Sequence, residues 1–153
     1  MIYASEIQWG NENLYLSADD YSIVGITFDK PEKAIWKENK VLLKCKMQLQ
    51  EYFLGQRKTF DVPIMFIGTE FQNAVWKKLL DIPYGQVISY GNLAAAIGKP
   101  KAARAVGNAC NKNPIAIIVP CHRVVGKNGR LIGYAGGIAM KEKLLELEQE
   151  GVK

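Results

Sequence analysis

Five consecutive apolar residues, Ile115-Ala116-Ile117-Ile118-Val119, lie between Asn113-Pro114 and Pro120-Cys121-His122-Arg123-Val124. A run this apolar belongs in a core, and its β-branched content reads as a short buried strand. The segment after Pro120 therefore starts against the interior, and its first residue is a thiol beside the only histidine of the chain. A free thiol, with a pKa of about 8.5, is mostly protonated near neutral pH unless a base or a positive charge helps it. His122 and Arg123 are placed to help. Neighbouring residues of an extended strand face opposite ways, so a direct Cys121–His122 dyad is awkward and a cysteine hydrolase is disfavoured. A bend or a bridging water after Pro120 is needed, with a carboxylate to orient the ring.

The charge distribution points to a polyanionic partner. Residues 1–68 carry 8 Lys/Arg against 9 Asp/Glu, whereas residues 69–153 carry 12 against 6. No acidic residue occurs between Ile82 and Lys141, a stretch that holds Lys99, Lys101, Arg104, Lys112, Arg123, Lys127 and Arg130. One face of the second part is expected to be positive, which suits a phosphate backbone. Cys45, Cys110 and Cys121 are odd in number and widely spaced, so neither a disulfide framework nor a metal site is expected. No segment reaches the roughly 20 apolar residues of a membrane span, and no membrane partner is expected. The expected location is a reducing one: cytoplasmic, and nucleoid-associated in a prokaryote.

Periodicity changes along the chain. Ile2–Trp9, Leu14–Ser17 and Ser22–Phe28 are β-prone stretches separated by turn residues and read as an antiparallel meander. Leu42, Cys45, Leu49, Tyr52 and Phe53 recur at helical spacing, with Cys45 on the buried stripe and Gly55 as a stop. The boundary is placed near residue 68, giving domains 1–68 and 69–153. Thr69-Glu70-Phe71-Gln72 has the form of a capping box, opening a helix with Phe71, Val75 and Leu79 on one face. Ser89 starts a short helix through Ile97, and Lys99-Pro100 starts another that reaches about Cys110, together a helix-turn-helix. Five glycines between Gly126 and Gly137 mark a loop, and Ile138–Glu150 is a final helix packed through Leu144, Leu145 and Leu147. The fold class is α/β (α+β), a small sheet-plus-helix domain followed by a mainly helical one.

Several motifs in register carry a resemblance. Pro120-Cys121-His122-Arg123-Val124-Val125, Gly133-Tyr134-Ala135-Gly136-Gly137 and Lys141-Glu142-x-Leu144-Leu145-x-x-Glu148 resemble the O6-alkylguanine-DNA alkyltransferase family, also called methylated-DNA–protein-cysteine methyltransferases. Ser89-Tyr90-Gly91, the run Lys101 to Gly107 and Asn113-Pro114 match the same family at the same spacing. The likeness is dense over residues 69–150, while residues 1–68 resemble the family's variable N-terminal domain in length and element order. It implies an RNase H-like N-terminal domain and a winged helix-turn-helix-like C-terminal one.

The resemblance also implies roles. Cys121 matches the thiolate that attacks the alkyl carbon on O6 of guanine and keeps the group as a thioether. His122 matches the base that takes the thiol proton through a water, oriented by Glu148, although Glu146 and Glu150 are alternative carboxylates by composition alone. Tyr90 matches a donor toward N3 of the guanine, Asn113 a hinge, and the backbone of Val124 and Ala135 the groups that read the base edge. Arg104 matches the residue that fills the space left by an everted base, and Lys101, Ala102 and Ala103 fall on the DNA-contacting surface, in the minor groove. The implied partner is double-stranded DNA containing O6-alkylguanine and, less well, O4-alkylthymine. No cofactor or metal is implied, and a monomer is expected. Ile132 stands where a small or polar residue is common, which bears on the width of the alkyl pocket. A lesion-binding protein without transfer activity and a helix-turn-helix regulator are the competing classes; the presence of Cys121 argues against the first.

Overall fold

The first strands follow from alternation. β1 (Tyr3–Trp9) and β2 (Glu12–Ala18) pair antiparallel in register from Tyr3↔Ala18 to Trp9↔Glu12. The two-residue turn between them requires positive φ, which Gly10 supplies at 61°. β3 (Ile23–Thr27) pairs antiparallel with β2, with an irregularity at Ser17/Ala18. The sheet departs from a pure meander at its far edge, where β4 (Ile35–Trp36) lies parallel to β1 and gives the order β3-β2-β1-β4. The chain reaches that edge by crossing from β3, and a strand reached by crossover can align parallel where a hairpin cannot.

α1 (Lys40–Phe53) covers this sheet. Asn39 caps it, its Oδ1 accepting from the Leu42 N–H at 2.8 Å while its Nδ2 donates to the Asp19 carbonyl at 3.0 Å. Leu42, Cys45, Leu49 and Tyr52 are fully buried with Leu14, Leu16, Ile23 and Ile26 of the sheet. Burial pushes the Cys45 thiol up to about 12, so it packs as a small hydrophobe.

The computed structural model describes residues 1–153 and divides into two units, Met1–Phe66 and Ile67–Lys153. The second unit opens with α2 (Glu70–Leu79), where Thr69 and Gln72 complete a reciprocal capping box. Its buried face is Val75, Trp76 and Leu79, with Phe71 only half-buried, because the Trp76 indole N–H reaches across to the Ala109 carbonyl at 2.8 Å. α3 (Tyr90–Ala96) is capped by Ser89, whose hydroxyl accepts from the Asn92 N–H at 3.0 Å.

α4 (Ala103–Asn111) begins later than Lys99-Pro100 suggests. The Ala102 N–H bonds to the Lys99 carbonyl at 2.9 Å, so a turn precedes the helix and Lys101 and Ala102 sit just before it. β5 (Ile88–Ser89) and β6 (Val124–Val125) form a small parallel pair. α5 (Ile138–Gly151) ends the chain, and its buried residues are Met140, Lys141, Leu144 and Glu148. Leu145 and Leu147 are only half-buried, so two ionisable residues share the inward stripe with two apolar ones.

Replacing the cap residue tests the helical frame. Thr69→Ala is expected to cost about 1 kcal/mol of stability. The check is a lower urea midpoint with an unchanged slope.

Candidate active site

The apolar run is buried, but it is not a strand. Asn113 draws in the backbone groups a ladder would use: its Oδ1 accepts from the Ile115 N–H at 3.0 Å, and its Nδ2 donates to the Val119 carbonyl at 2.7 Å. The Val119 N–H closes on the Ile115 carbonyl at 3.1 Å, so residues 115–119 wind into a tight buried turn. Ile117 stands at φ 73° there, a conformation that costs a β-branched residue about 1–3 kcal/mol and persists only where the surroundings enforce it.

The bend expected after Pro120 is present. Cys121–Arg123 form a single 3-10 turn, so Cys121 and His122 do not alternate as they would in a strand. Asn113 Nδ2 also donates to Cys121 Sγ at 3.2 Å. One amide thus organises the turn and touches the sulfur. Burial pushes the Cys121 thiol up, while the Asn113 hydrogen bond and the nearby Lys141 charge favour the thiolate.

His122, Arg123 and Glu148 form a closed cluster. His122 Nε2 lies 2.7 Å from Glu148 Oε2, and Arg123 clamps the same carboxylate through Nε at 2.8 Å and an Nη at 2.9 Å. The other Arg123 Nη donates to the Ile82 carbonyl at 2.7 Å, and the Gly85 N–H donates to Glu148 Oε1 at 3.3 Å. Glu148 and His122 are both 0 % exposed. The exposed Glu146 and Glu150 of the same helix make no such contact. Burial alone would raise the Glu148 carboxyl, but the hydrogen bonds from His122 and Arg123 more than offset it and hold it well below the usual carboxylate range.

Arg123 is therefore not part of the positive surface, nor a direct activator of the thiol. It is 7 % exposed, and its charge is spent against Glu148. The imidazole is similarly constrained. A carboxylate only accepts, so Nε2 carries the proton that faces Glu148, and in the neutral ring Nδ1 is left as an acceptor. That Nδ1 is buried with no protein partner. Burial pulls the His122 pKa down more than Glu148 restores it, which keeps the ring neutral and able to take a proton.

A cavity of about 850 Å³ lies between α3, α4 and the glycine-containing loop, with Tyr90, Arg104, Gly107, Asn108, Asn111 and Ile132 in its wall. Arg104 is exposed in the first turn of α4, beside half-buried Ala103. The Tyr90 hydroxyl donates to the Ile132 carbonyl at 2.8 Å, and burial pushes its pKa up to about 12. Lys141 Nζ donates to that hydroxyl at 3.3 Å. Ile132 is half exposed and folds over Gly126, where a Cβ would collide with it.

The predicted site residues are thus not all gathered in one wall. Cys121, 6 % exposed, is not among the residues lining the cavity. Val124 is buried in β6, with its N–H on the Cys121 carbonyl, whereas Ala135 is exposed on the loop; neither lines the cavity. Sequence reasoning missed the clamp by Arg123 and the burial of Lys141. The signal for the second was present, since positions 141, 144 and 148 share one helical face. No group of three His, Cys, Asp or Glu residues is arranged to hold a metal ion.

Glu148→Gln should be strongly destabilising, by about 3–5 kcal/mol, because it leaves the Arg123 charge buried without its counter-charge. A carboxyl held below its ordinary value of 4.5 stabilises the fold fully above that pH and progressively less as pH falls beneath it. His122, held below its ordinary 6.5, adds a loss of stability in the same direction that begins nearer that pH. The wild-type unfolding midpoint should therefore fall with acidification, and the fall below pH 4.5 should be shallower in Glu148→Gln; thermal melts across pH check this.

Comparison with known proteins shows the family. Residues 70–150 match the family described as 6-O-methylguanine DNA methyltransferase, DNA binding domain, and residues 2–66 match 6-O-methylguanine DNA methyltransferase, ribonuclease-like domain. The chain is 50 % identical over 141 residues to the methylated-DNA–protein-cysteine methyltransferase of Methanosarcina acetivorans, covering 88 % of this chain and 90 % of that one. It is 48 % identical to the constitutive methyltransferase of Bacillus subtilis, covering 92 % and 84 % respectively. Among solved structures, the Mycobacterium tuberculosis O6-methylguanine methyltransferase superposes with a TM-score of 0.89 at 42 % identity, covering 98 % of this chain and 94 % of that one. The same mycobacterial protein in complex with DNA gives 0.90 at 43 % identity, covering 97 % and 94 %. Matched along both of its units, this chain belongs to the methylated-DNA–protein-cysteine methyltransferase family.

Proposed function

We propose that this protein repairs DNA directly, by moving the alkyl group from O6 of guanine to Cys121 in a single, irreversible turnover. The observation that carries this reading is the buried relay. A thiol contacted by Asn113 stands next in sequence to a neutral imidazole whose Nε2 is tied to a carboxylate and whose Nδ1 has no protein partner.

The chemistry needs no group beyond these side chains. His122 Nδ1 takes the thiol proton through a water, and Glu148 stabilises the imidazolium that results. The thiolate sulfur attacks the alkyl carbon in line: an S–C bond forms, the C–O6 bond breaks, and the electron pair passes into the purine. Tyr90 offsets that charge by donating toward N3. Asn113 holds the turn and the sulfur together, and the backbone of Val124 and Ala135 reads the guanine edge. The product is a thioether, so one protein molecule is consumed per lesion. O4-alkylthymine is the expected poorer substrate, and a monomer in the cytoplasm suffices.

An O6-alkyl group lies inside the stacked duplex and must be everted, at a cost of a few kcal/mol. The exposed Lys99, Lys101, Arg104, Lys112, Lys127 and Arg130 supply phosphate attraction that is independent of sequence. Ala102 and Ala103 allow close approach to the minor groove, and Arg104 fills the vacated stack. Cys121 is not in the cavity wall, so the everted base must pass beyond the residues that line the cavity to reach the sulfur.

Incubation with duplex bearing O6-methylguanine should add one methyl to the Cys121 peptide by mass spectrometry, and none in Cys121→Ala. Binding without mass gain would instead identify a lesion sensor, and affinity confined to one duplex sequence would identify a regulator. Arg104→Ala should slow repair of duplex well over tenfold more than reaction with free O6-benzylguanine; equal losses would remove the eversion role.

A further inference from the structure

Tyr84 takes no part in the proton relay, yet the structure builds a seat for it. Its ring is half-buried, and the Arg123 guanidinium lies over it, 5.8 Å from the centroid. Its hydroxyl donates to the Leu147 carbonyl at 3.5 Å and rests against Gly151, the last residue of α5. A Cβ at Gly151 would collide with the Tyr84 hydroxyl oxygen and stand 2.9 Å from Cε1, so only glycine lets the phenol in. Gly151 does not have the positive φ of a helix-ending glycine, and alanine is the better helix former, so the phenol is what requires a glycine here. The next residue is held as firmly. Gly85, at φ 81°, donates to Glu148 Oε1 at 3.3 Å, its carbonyl accepts from Gln149 Nε2 at 2.8 Å, and a Cβ there would lie 2.6 Å from Val152 Cγ1. The segment Ile82–Gly85 is thus tied to Arg123 at one end and to the last turn of α5 at the other.

We propose that Tyr84 is a positioning residue for alkyl transfer, one whose ring closes the solvent side of the Arg123–Glu148 pair and keeps water from the carboxylate that supports His122. Glu148 serves two partners at once. The imidazolium formed when His122 takes the thiol proton must draw on a carboxylate that Arg123 already clamps. In a dry site a carboxylate shared in this way still acts strongly on a ring 2.7 Å away, whereas water would screen it. Arg123 does not exclude water unaided. The edge of its planar guanidinium is spent on Glu148 and the Ile82 carbonyl, and its face remains to be covered. Tyr84 covers that face, by the stacking and cation–π attraction that a guanidinium accepts from an aromatic ring. The arginine is 7 % exposed beneath a half-buried ring, the arrangement of an inner charge and its outer layer.

This role deepens the alkyl-transfer reading and rests on it. Neither Tyr84 nor Gly151 lines the cavity, so duplex affinity should not depend on them.

The test compares wild type with Tyr84→Phe, Tyr84→Leu, Gly151→Ala and the double variant of Tyr84→Phe with Gly151→Ala. Three quantities are read: single-turnover methyl transfer from duplex O6-methylguanine, duplex affinity, and solvent exchange of the His122 Nε2 proton by NMR. His122 is the only histidine, so its imidazole signal is unambiguous. The Trp76 indole N–H, held by the Ala109 carbonyl in the same unit, is the control for general loosening. Tyr84→Leu and Gly151→Ala should each bind duplex within about twofold of wild type and lose about tenfold in transfer rate. Their His122 proton should exchange about tenfold faster while the Trp76 proton keeps its rate. Tyr84→Phe keeps the ring and should lose less than Tyr84→Leu on both readouts. In the double variant it should recover part of the Gly151→Ala loss, because the hydroxyl that meets the new Cβ is gone. Unchanged transfer, an equally protected His122 proton, exchange at Trp76 rising in step with His122, a Tyr84→Phe loss equal to that of Tyr84→Leu, or no recovery in the double variant would each overturn the proposal. If Tyr84→Leu does not fold, Gly151→Ala carries the test with Tyr84 in place, and failure of both to fold would assign the contact to stability alone and overturn it. Proton exchange needs no DNA, so it judges the seal even if wild type transfers no methyl, an outcome that would remove the alkyl-transfer reading itself.

Discussion

A single buried carboxylate holds the candidate site together. Glu148 accepts from His122, from two nitrogens of Arg123 and from the Gly85 N–H, and so joins α5 to the turn after Pro120 and to the segment between α2 and α3. A buried carboxylate is tolerated only when its oxygens are satisfied and its charge is opposed, and both conditions are met here by residues next to the nucleophile. The tautomer of His122 follows from this contact, and so does the direction in which the ring can take a proton. Removing the carboxylate would leave the His122 ring without an orientation and the arginine without its counter-charge.

A second constraint works on the sulfur side. Asn113 satisfies backbone groups at both ends of the turn and touches Cys121 with the same amide. Position of the nucleophile and shape of the turn are thus one structural fact, which accounts for the tolerance of a left-handed Ile117 in the core. Lys141 is the counterpart on the cavity side, tying Tyr90 to the loop that carries Ile132. The two buried cations differ in what opposes them. Arg123 is neutralised by Glu148, whereas Lys141 meets only neutral oxygens.

Much of this was legible in the residues themselves. The capping box at Thr69–Gln72, the Ser89 cap, the Asn-Pro break and the lone histidine beside a cysteine are local signals, each with a local cause. The motif spacing between Cys121 and Glu148 also picked Glu148 over Glu146 and Glu150 on α5, and Glu148 is the one the structure buries. Where expectation and structure part, tertiary contact overrode propensity. β-branched Ile115–Val119 reads as a strand, yet the Asn113 side chain takes the backbone groups a ladder would need. Arg123 reads as one more positive charge in an acid-free stretch, yet its counter-charge lies 25 residues away on another helix.

Caps, periodicity and the scarcity of histidine and cysteine act over a few residues or by mere presence, so the linear chain was enough to specify most of the helices and to single out Cys121 and His122. The positive character of the second unit was specified in the same way. Three matters waited for the folded chain: which charges face solvent and which are neutralised, how the thiol is turned toward an amide, and that a lysine of α5 reaches the phenol of α3. Those outcomes depend on groups far apart in the chain meeting in a space from which water is excluded, where one hydrogen bond or counter-charge decides the state of its neighbour.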